Sequence, residues 1–240
     1  EYVRGDISLQ EFYNEIETTN TMPQSSQPST GVIVEELTDM LKHHKEVIVV
    51  APRKELSGTY QNVILSKEIL GKDGDRVHLI SSMSVATNDS ICTELVIDMI
   101  NDGKEVSEII SFVQEKAINL QTYALPDSMN FLKLSGRVSG VGAVIGGMFH
   151  IKVVVKCDKE AVKLGHKGRG IKSTIKYLIS EIEAYKPEKI YMCKLGVDEE
   201  TYQLLIEKLS PYAELVIWDE GDIVVGTHFG PGSSGITLYK

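Results

Sequence analysis

Residues 46–60 read EVIVVAPRKELSGTY. Val47–Ala51 is a short continuous apolar run closed by Pro52. That predicts a strand buried on both faces, as in a parallel sheet. A loop over Pro52–Gly58 follows, then a helix predicted over Thr59–Leu70 and ended by Gly71 and Gly74. Ser57 therefore stands immediately before a helix start. Unpaired backbone N–H groups and about half a positive charge gather at such a start. Added hydroxyls complete an anion site there.

The same alternation continues on both sides. Val77–Ile80 reads as a second buried strand, and helices are predicted over 88–101 and 107–117, then a strand over 122–125. This order argues a parallel α/β layer. Upstream, Ser8 and Glu11 form a capping box that opens a short helix to about Ile16. Thr18–Ser29 is a polar, proline-bearing loop. Ser29 and Thr30 can cap a helix to about His44, with Ile33, Leu37, Met40 and Leu41 inward.

After Pro126 the rhythm changes. Asp127 can cap a helix ending near Gly136, and 136–147 is dense in glycine. Ile151–Lys156 and Glu160–Lys167 read as a hairpin around Cys157, Asp158 and Lys159. An amphipathic helix is predicted over 171–185, followed by strand 189–195, helix 199–209 and strand 213–218. Strands over 224–227 and 236–239 close the chain around a glycine-rich turn. A soft boundary near residue 121 divides the chain into domains 1–121 and 122–240. No internal repeat is evident.

Length and composition narrow the function classes. The chain has 240 residues, 42% hydrophobic and 25% charged, which suits one large or two modest globular domains. The formal net charge of -9 disfavours phosphate backbones and anionic headgroups as partners, so neither nucleic acid nor membrane insertion is expected. Cys92, Cys157 and Cys193 are widely spaced and odd in number, which fits neither a disulfide framework nor a metal site; they read as buried apolar residues in a reducing compartment. No apolar run approaches the roughly 20 residues of a membrane span. The chain opens at Glu1, without a methionine.

Five segments carry candidate chemistry. Ser25-Ser26-Gln27-Pro28-Ser29 and Leu56-Ser57-Gly58-Thr59-Tyr60 both set hydroxyls before a helix. Loops at the carboxyl ends of sheet strands meet in a ligand crevice, so both serine loops could converge on one anion. A single serine at either place is explained equally by capping. Ser135-Gly136-Arg137 sets an arginine in a flexible loop, where it would ordinarily be solvated. His228-Phe229-Gly230-Pro231-Gly232 is a tightly specified turn after a predicted strand end. His166-Lys167-Gly168-Arg169 is a basic cluster before a helix, and a solvated hairpin end explains it as well.

Taken together, these five segments resemble the DegV family of fatty-acid-binding proteins, in order and spacing, over essentially the whole chain. The resemblance implies two α/β domains, the N-terminal with a mainly parallel sheet and the C-terminal with a mixed sheet, and a fatty acid between them. It implies that Ser25 and Ser57, with Gly58, hold the carboxylate, and that Arg137 and His228 complete that end. Arg169 matches an arginine associated with a partner kinase. The implied role is a cytoplasmic bacterial carrier of an acid such as palmitate, stearate or oleate. It would present the acid to a fatty acid kinase, which makes acyl-phosphate for phospholipid synthesis, with an acyl-phosphate acyltransferase as a further partner. No catalytic residue, metal or cofactor is expected.

The sequence also departs from the family pattern. The usual first strand and its T-D-S-T loop are missing before Glu1, so the chain looks truncated. Ser25 replaces a threonine, Ser135 a glycine, and Val153 a proline. Ser81-Ser82 stands for Asp-Ser, and Asn88-Asp89-Ser90 for a glycine-rich helix start.

Two rival readings stand beside the carrier. One is a serine hydrolase using Ser57 and His228, although LSGTY is not the GxSxG elbow. The other is an interaction module with an empty cleft. A kinase is disfavoured, since no GxxxxGK[ST] loop and no GxGxxG at a strand–helix junction is present.

Overall fold

The fold is that of a computed structural model, which describes residues 5–127, 129–138, 151–218 and 220–240. In chain order the elements are α1 (Leu9–Thr19), α2 (Thr30–His43), β1 (Val47–Ala51), α3 (Thr59–Leu70), a 3-10 turn (Gly71–Arg76), β2 (Val77–Ser81), α4 (Thr87–Asn101), α5 (Val106–Asn119) and β3 (Gln121–Leu125). Then come α6 (Met129–Ser135), β4 (Ile151–Cys157), β5 (Val162–Arg169), α7 (Gly170–Tyr185), β6 (Lys189–Leu195), α8 (Glu199–Leu209), β7 (Glu214–Trp218), α9 (Ile223–Phe229) and β8 (Ser233–Tyr239). Among the described residues no helix is long and apolar enough to cross a membrane.

The chain forms two compact units. One is Ser26–Ile118; the other joins residues 1–25 to Asn119–Lys240. The second cut lies close to the expected boundary at 121, whereas the first 25 residues group with the C-terminal part. The reason is apolar: Leu9, Phe12 and Tyr13 of α1 are buried with Cys193, Leu195 and Ile223.

In the first unit β1 and β2 pair in parallel, from Val47 opposite Val77 to Ala51 opposite Ser81. Leu37 and Leu41 of α2 cover Val77, Val47 and Val49. The capping boundaries follow the sequence: Ser29 Oγ accepts from the Val32 amide. The arginine of the 3-10 turn, Arg76, donates to the carbonyls of Leu41, His44 and Lys45, which closes the C-terminal end of α2. One expectation fails in degree. Val47–Val50 are half-buried rather than enclosed on both faces, and only Ala51 is fully buried.

The second unit is a six-stranded mixed sheet in the order β5-β4-β3-β8-β6-β7. Among the described strands of this sheet only β6 and β7 pair in parallel; the other neighbours run antiparallel. Side-chain alternation sorts the two faces. Tyr123, Val154, Ile190, Met192, Ile236 and Leu238 face α7 and α8. On the other face Ala124, Val155 and Val162 meet α6, while Cys193 and Leu195 meet α1 and α9. The hairpin, the amphipathic helix and the β6–α8–β7 succession form where the sequence indicates.

Residues 224–227 are a correction. They read as a strand from Val224 and Val225, but they lie within helix α9. Asp222 caps it, its Oδ1 accepting from the Val224 amide at 2.7 Å. Gly226 removes the side chain that would meet α1. A Cβ there would lie 2.8 Å from Leu9 Cδ1 and 2.8 Å from Tyr13 Oη. A cap and one tight contact thus outweigh a weak β-propensity. Gly226→Ala should therefore cost about 1–3 kcal/mol of stability by overpacking, seen as a lower urea midpoint at unchanged slope. An unchanged midpoint would mean that α1 shifts freely.

Candidate functional site

Three of the expected site residues meet in the second unit. Ser25 Oγ and His228 Nε2 lie 2.8 Å apart and share a hydrogen bond across 203 positions of sequence. Arg137 is near enough for its charge to act on the same ring. His228 sits in the last turn of α9, and Gly230 N–H closes that helix on the Gly226 carbonyl. The histidine is thus at a helix end rather than a strand end.

The glycines after it have concrete reasons. Gly230 has φ +76 and a Cβ there would fall 2.5 Å from the Phe131 ring of α6; Gly232 has φ +78 and a Cβ there would meet Asp127 Cβ at 2.7 Å. Both positions need the left-handed region and the missing side chain. The turn thereby presses α9 against α6, which leads directly to Arg137.

Ser135 stabilises that lead. Its Oγ donates to the Leu132 carbonyl at 2.8 Å and accepts from the Arg137 amide at 3.3 Å. Arg137 Nη1 folds back to donate to the Ser135 carbonyl at 2.6 Å. Residues 139–150, the rest of the glycine-dense stretch including Ser139 and Gly140, lie outside the described residues.

Burial pushes the His228 imidazole down to about 4, and the Arg137 guanidinium adds to that effect. Both act against the imidazolium form. At neutral pH the ring is therefore uncharged, with one nitrogen a donor and the other an acceptor. The cluster offers a hydroxyl, a neutral imidazole and a guanidinium: one fixed positive charge and several donors, which suits a small anion.

The second serine loop belongs to the first unit. Ser57 Oγ accepts from the Thr59 amide at 3.2 Å and hydrogen-bonds Thr59 Oγ1 at 2.9 Å. Its own amide donates to the Arg53 carbonyl at 3.2 Å. So Ser57 stands just before half-buried Gly58, the N-cap of α3, and its hydroxyl holds the first helical amide, with the Thr59 hydroxyl beside it. A Cβ at Gly58 would lie 2.4 Å from the side-chain nitrogen of exposed Gln27, the end of a flexible chain that can turn aside. Within this unit Asn62 Nδ2 of α3 donates to the Pro28 carbonyl at 2.7 Å. Gln27, Thr59 and Phe131 carry no expectation of their own from the sequence. The signal for Gln27 was its place inside the SQPS segment.

Arg169 lies in the same unit as Ser25, Arg137 and His228. It is exposed, precedes α7, and pairs with Ile151 on the edge strand β5. By register it shares a sheet face with Val153 and Val155, the face that α6 covers. Behind the strand, His166 stacks on Tyr177 at 4.8 Å and bonds Ser173 Oγ at 2.9 Å. Among the described residues no group of three or more His, Cys, Asp or Glu could hold a metal ion.

The depressed His228 has a thermodynamic signature. Between its ordinary value of 6.5 and about 4, the unfolded chain binds a proton that the folded chain refuses, so stability is present above that window and is lost as pH falls through it. His228→Gln should flatten this loss, read as a smaller drop in urea midpoint between about pH 7 and about pH 4.5 than in the wild type. Equal drops would show that other groups govern the acid limb.

The family model described as "Uncharacterised protein, DegV family" matches residues 1–240. A DegV domain-containing protein of Staphylococcus aureus (strain COL) is 27% identical over 241 residues, covering 97% of this chain and 82% of the relative. Among solved structures, a fatty-acid-binding DegV family protein from Thermus thermophilus superposes with a TM-score of 0.88 at 20% identity, covering 100% of this chain and 87% of that one. A DegV family protein from Eubacterium eligens loaded with heptadecanoic acid superposes with a TM-score of 0.82 at 18% identity, covering 98% and 86%. With the model matched end to end and the five segments ordered as described, the chain belongs to the DegV family.

Proposed function

We propose that this protein binds one long-chain fatty acid by its carboxylate and acts as a cytoplasmic carrier that hands the acid to a fatty acid kinase. The observation that carries the reading is the Ser25–His228 hydrogen bond beside Arg137. In this reading the carboxylate accepts from Arg137 and from the neutral His228 and Ser25 pair. Ser57 adds a hydroxyl at a helix start whose backbone N–H groups also favour negative charge. The likeness to structures described as binding fatty acids supports the choice of ligand.

Affinity and register come from different parts of such a ligand. About fifteen methylenes at ~0.8 kcal/mol each supply roughly 12 kcal/mol of gross burial, from which ordering and association subtract heavily. The carboxylate must meet donors or protonate on leaving water. Its hydrogen bonds fix which end enters and where it stops.

The hydrolase alternative is weaker on electrostatic grounds. A general base must become an imidazolium, and burial and Arg137 both oppose that in His228. The partner of Ser57 Oγ is Thr59, while His228 bonds Ser25. Turnover of a p-nitrophenyl ester, lost in Ser57→Ala, would revive it.

Ser57→Ala should weaken oleate binding about tenfold, the loss of one hydrogen bond to a charged group; wild-type affinity, measured by native mass spectrometry or displacement of a fluorescent fatty acid, would remove Ser57 from the site. Arg169→Ala should leave oleate affinity unchanged and slow acyl-phosphate formation with the kinase. A collapse of lipid affinity instead would make Arg169 a ligand contact.

A further inference from the structure

A hydrogen-bonded relay runs through the loop between β2 and α4 and ends on Ser57. Asn88 Nδ2 donates to the Ser82 carbonyl at 3.1 Å. Ser82 Oγ donates to the Ser84 carbonyl at 3.2 Å. That same carbonyl accepts the Arg53 amide at 3.1 Å, and the Arg53 carbonyl accepts the amides of Leu56 and Ser57 at 3.0 and 3.2 Å. Asn88, Ser82 and Ser84 are 1%, 0% and 2% exposed, and Arg53 is 7% exposed, so no link is exchanged cheaply for water. The Arg53 side chain is held as well, Nε donating to Glu55 Oε2 at 2.9 Å.

The shape of this loop is imposed on it. Among the described residues four non-glycine positions have positive φ, and two of them, Met83 at 63° and Ala86 at 52°, lie between Ser82 and Asn88. Backbone so placed persists only where its surroundings over-determine it. The Asn88 amide group and the Ser82 hydroxyl supply that constraint. The Ser57 hydroxyl holds the Thr59 amide and hydroxyl, while its own amide hangs from the Arg53 carbonyl, whose amide the neighbouring loop holds.

We infer that Asn88 is a positioning residue for the carboxylate-binding end: through Ser82, Ser84 and the Arg53 backbone it holds the Ser57 loop in place. The effect on binding rests on the function proposed above; the relay itself does not.

The test joins a structural and a functional measurement on the full chain. In Asn88→Ala, amide hydrogen exchange at Leu56 and Ser57 should quicken at least tenfold, while the amide of buried Val63 in α3 keeps its wild-type rate. Where Asn88→Ala lowers global stability, Asn88→Asp keeps the volume and removes the Nδ2 donor. Oleate affinity should fall, and the double variant with Ser57→Ala should lose less than the sum of the two single losses. Unchanged exchange at Leu56 and Ser57 in both variants overturns the relay. Faster exchange with unchanged oleate affinity, or strictly additive losses, overturns the positioning role. If Ser57→Ala alone binds oleate normally, the carboxylate role of Ser57 and with it the positioning role fall, while the exchange rates still decide whether the relay exists.

Discussion

Tyr13 is the wedge on which the second unit depends. Its ring is 3% exposed, and its hydroxyl donates to the Gly230 carbonyl at 3.1 Å. A side chain at Gly196 would strike the ring at 2.9 Å, and one at Gly226 would strike the hydroxyl at 2.8 Å. Burial pushes the phenol far above its ordinary value, so it stays a neutral donor. One side chain therefore ties α1 to α9 and to the exit of β6. That contact gathers the first 25 residues into the unit formed by the C-terminal half, and it carries Ser25 toward His228.

The polar end is built by subtraction of alternatives. An exposed histidine at a helix end would gain from being charged. Here desolvation and a nearby guanidinium reverse that preference. The result is one permanent cation, Arg137, beside groups that donate hydrogen bonds without charge. A like-charged pair would repel itself when empty; a neutral imidazole does not, and it stands ready to donate to an anion. On the other loop Ser57 and Thr59 set two hydroxyls at the start of α3, with no net charge of their own.

Much of this was legible in the residues. The capping box at Ser8 and Glu11, the Ser29 cap, the strand–loop–helix over 46–60 and the hairpin over 151–167 are local patterns, set by neighbours within a few positions. The candidate segments stood out as well, because LSGTY and HxGPG are unusual strings, whereas GR carries little signal alone. Less visible was the helical state of 224–227, since its deciding contacts are Leu9 and Tyr13, more than 200 positions away. The half-burial of β1 was equally hidden, for an apolar run states what a strand tolerates and not what covers it.

The sequence by itself determined the order of elements, the α/β class and the family, because periodicity, caps and motif spacing are properties of adjacent residues. Only the tertiary structure decided that Ser25 bonds His228, that Arg137 helps hold that ring neutral, and that the loop of Ser57 hangs from Asn88. Those facts depend on through-space distance and on desolvation, and neither is a function of separation along the chain.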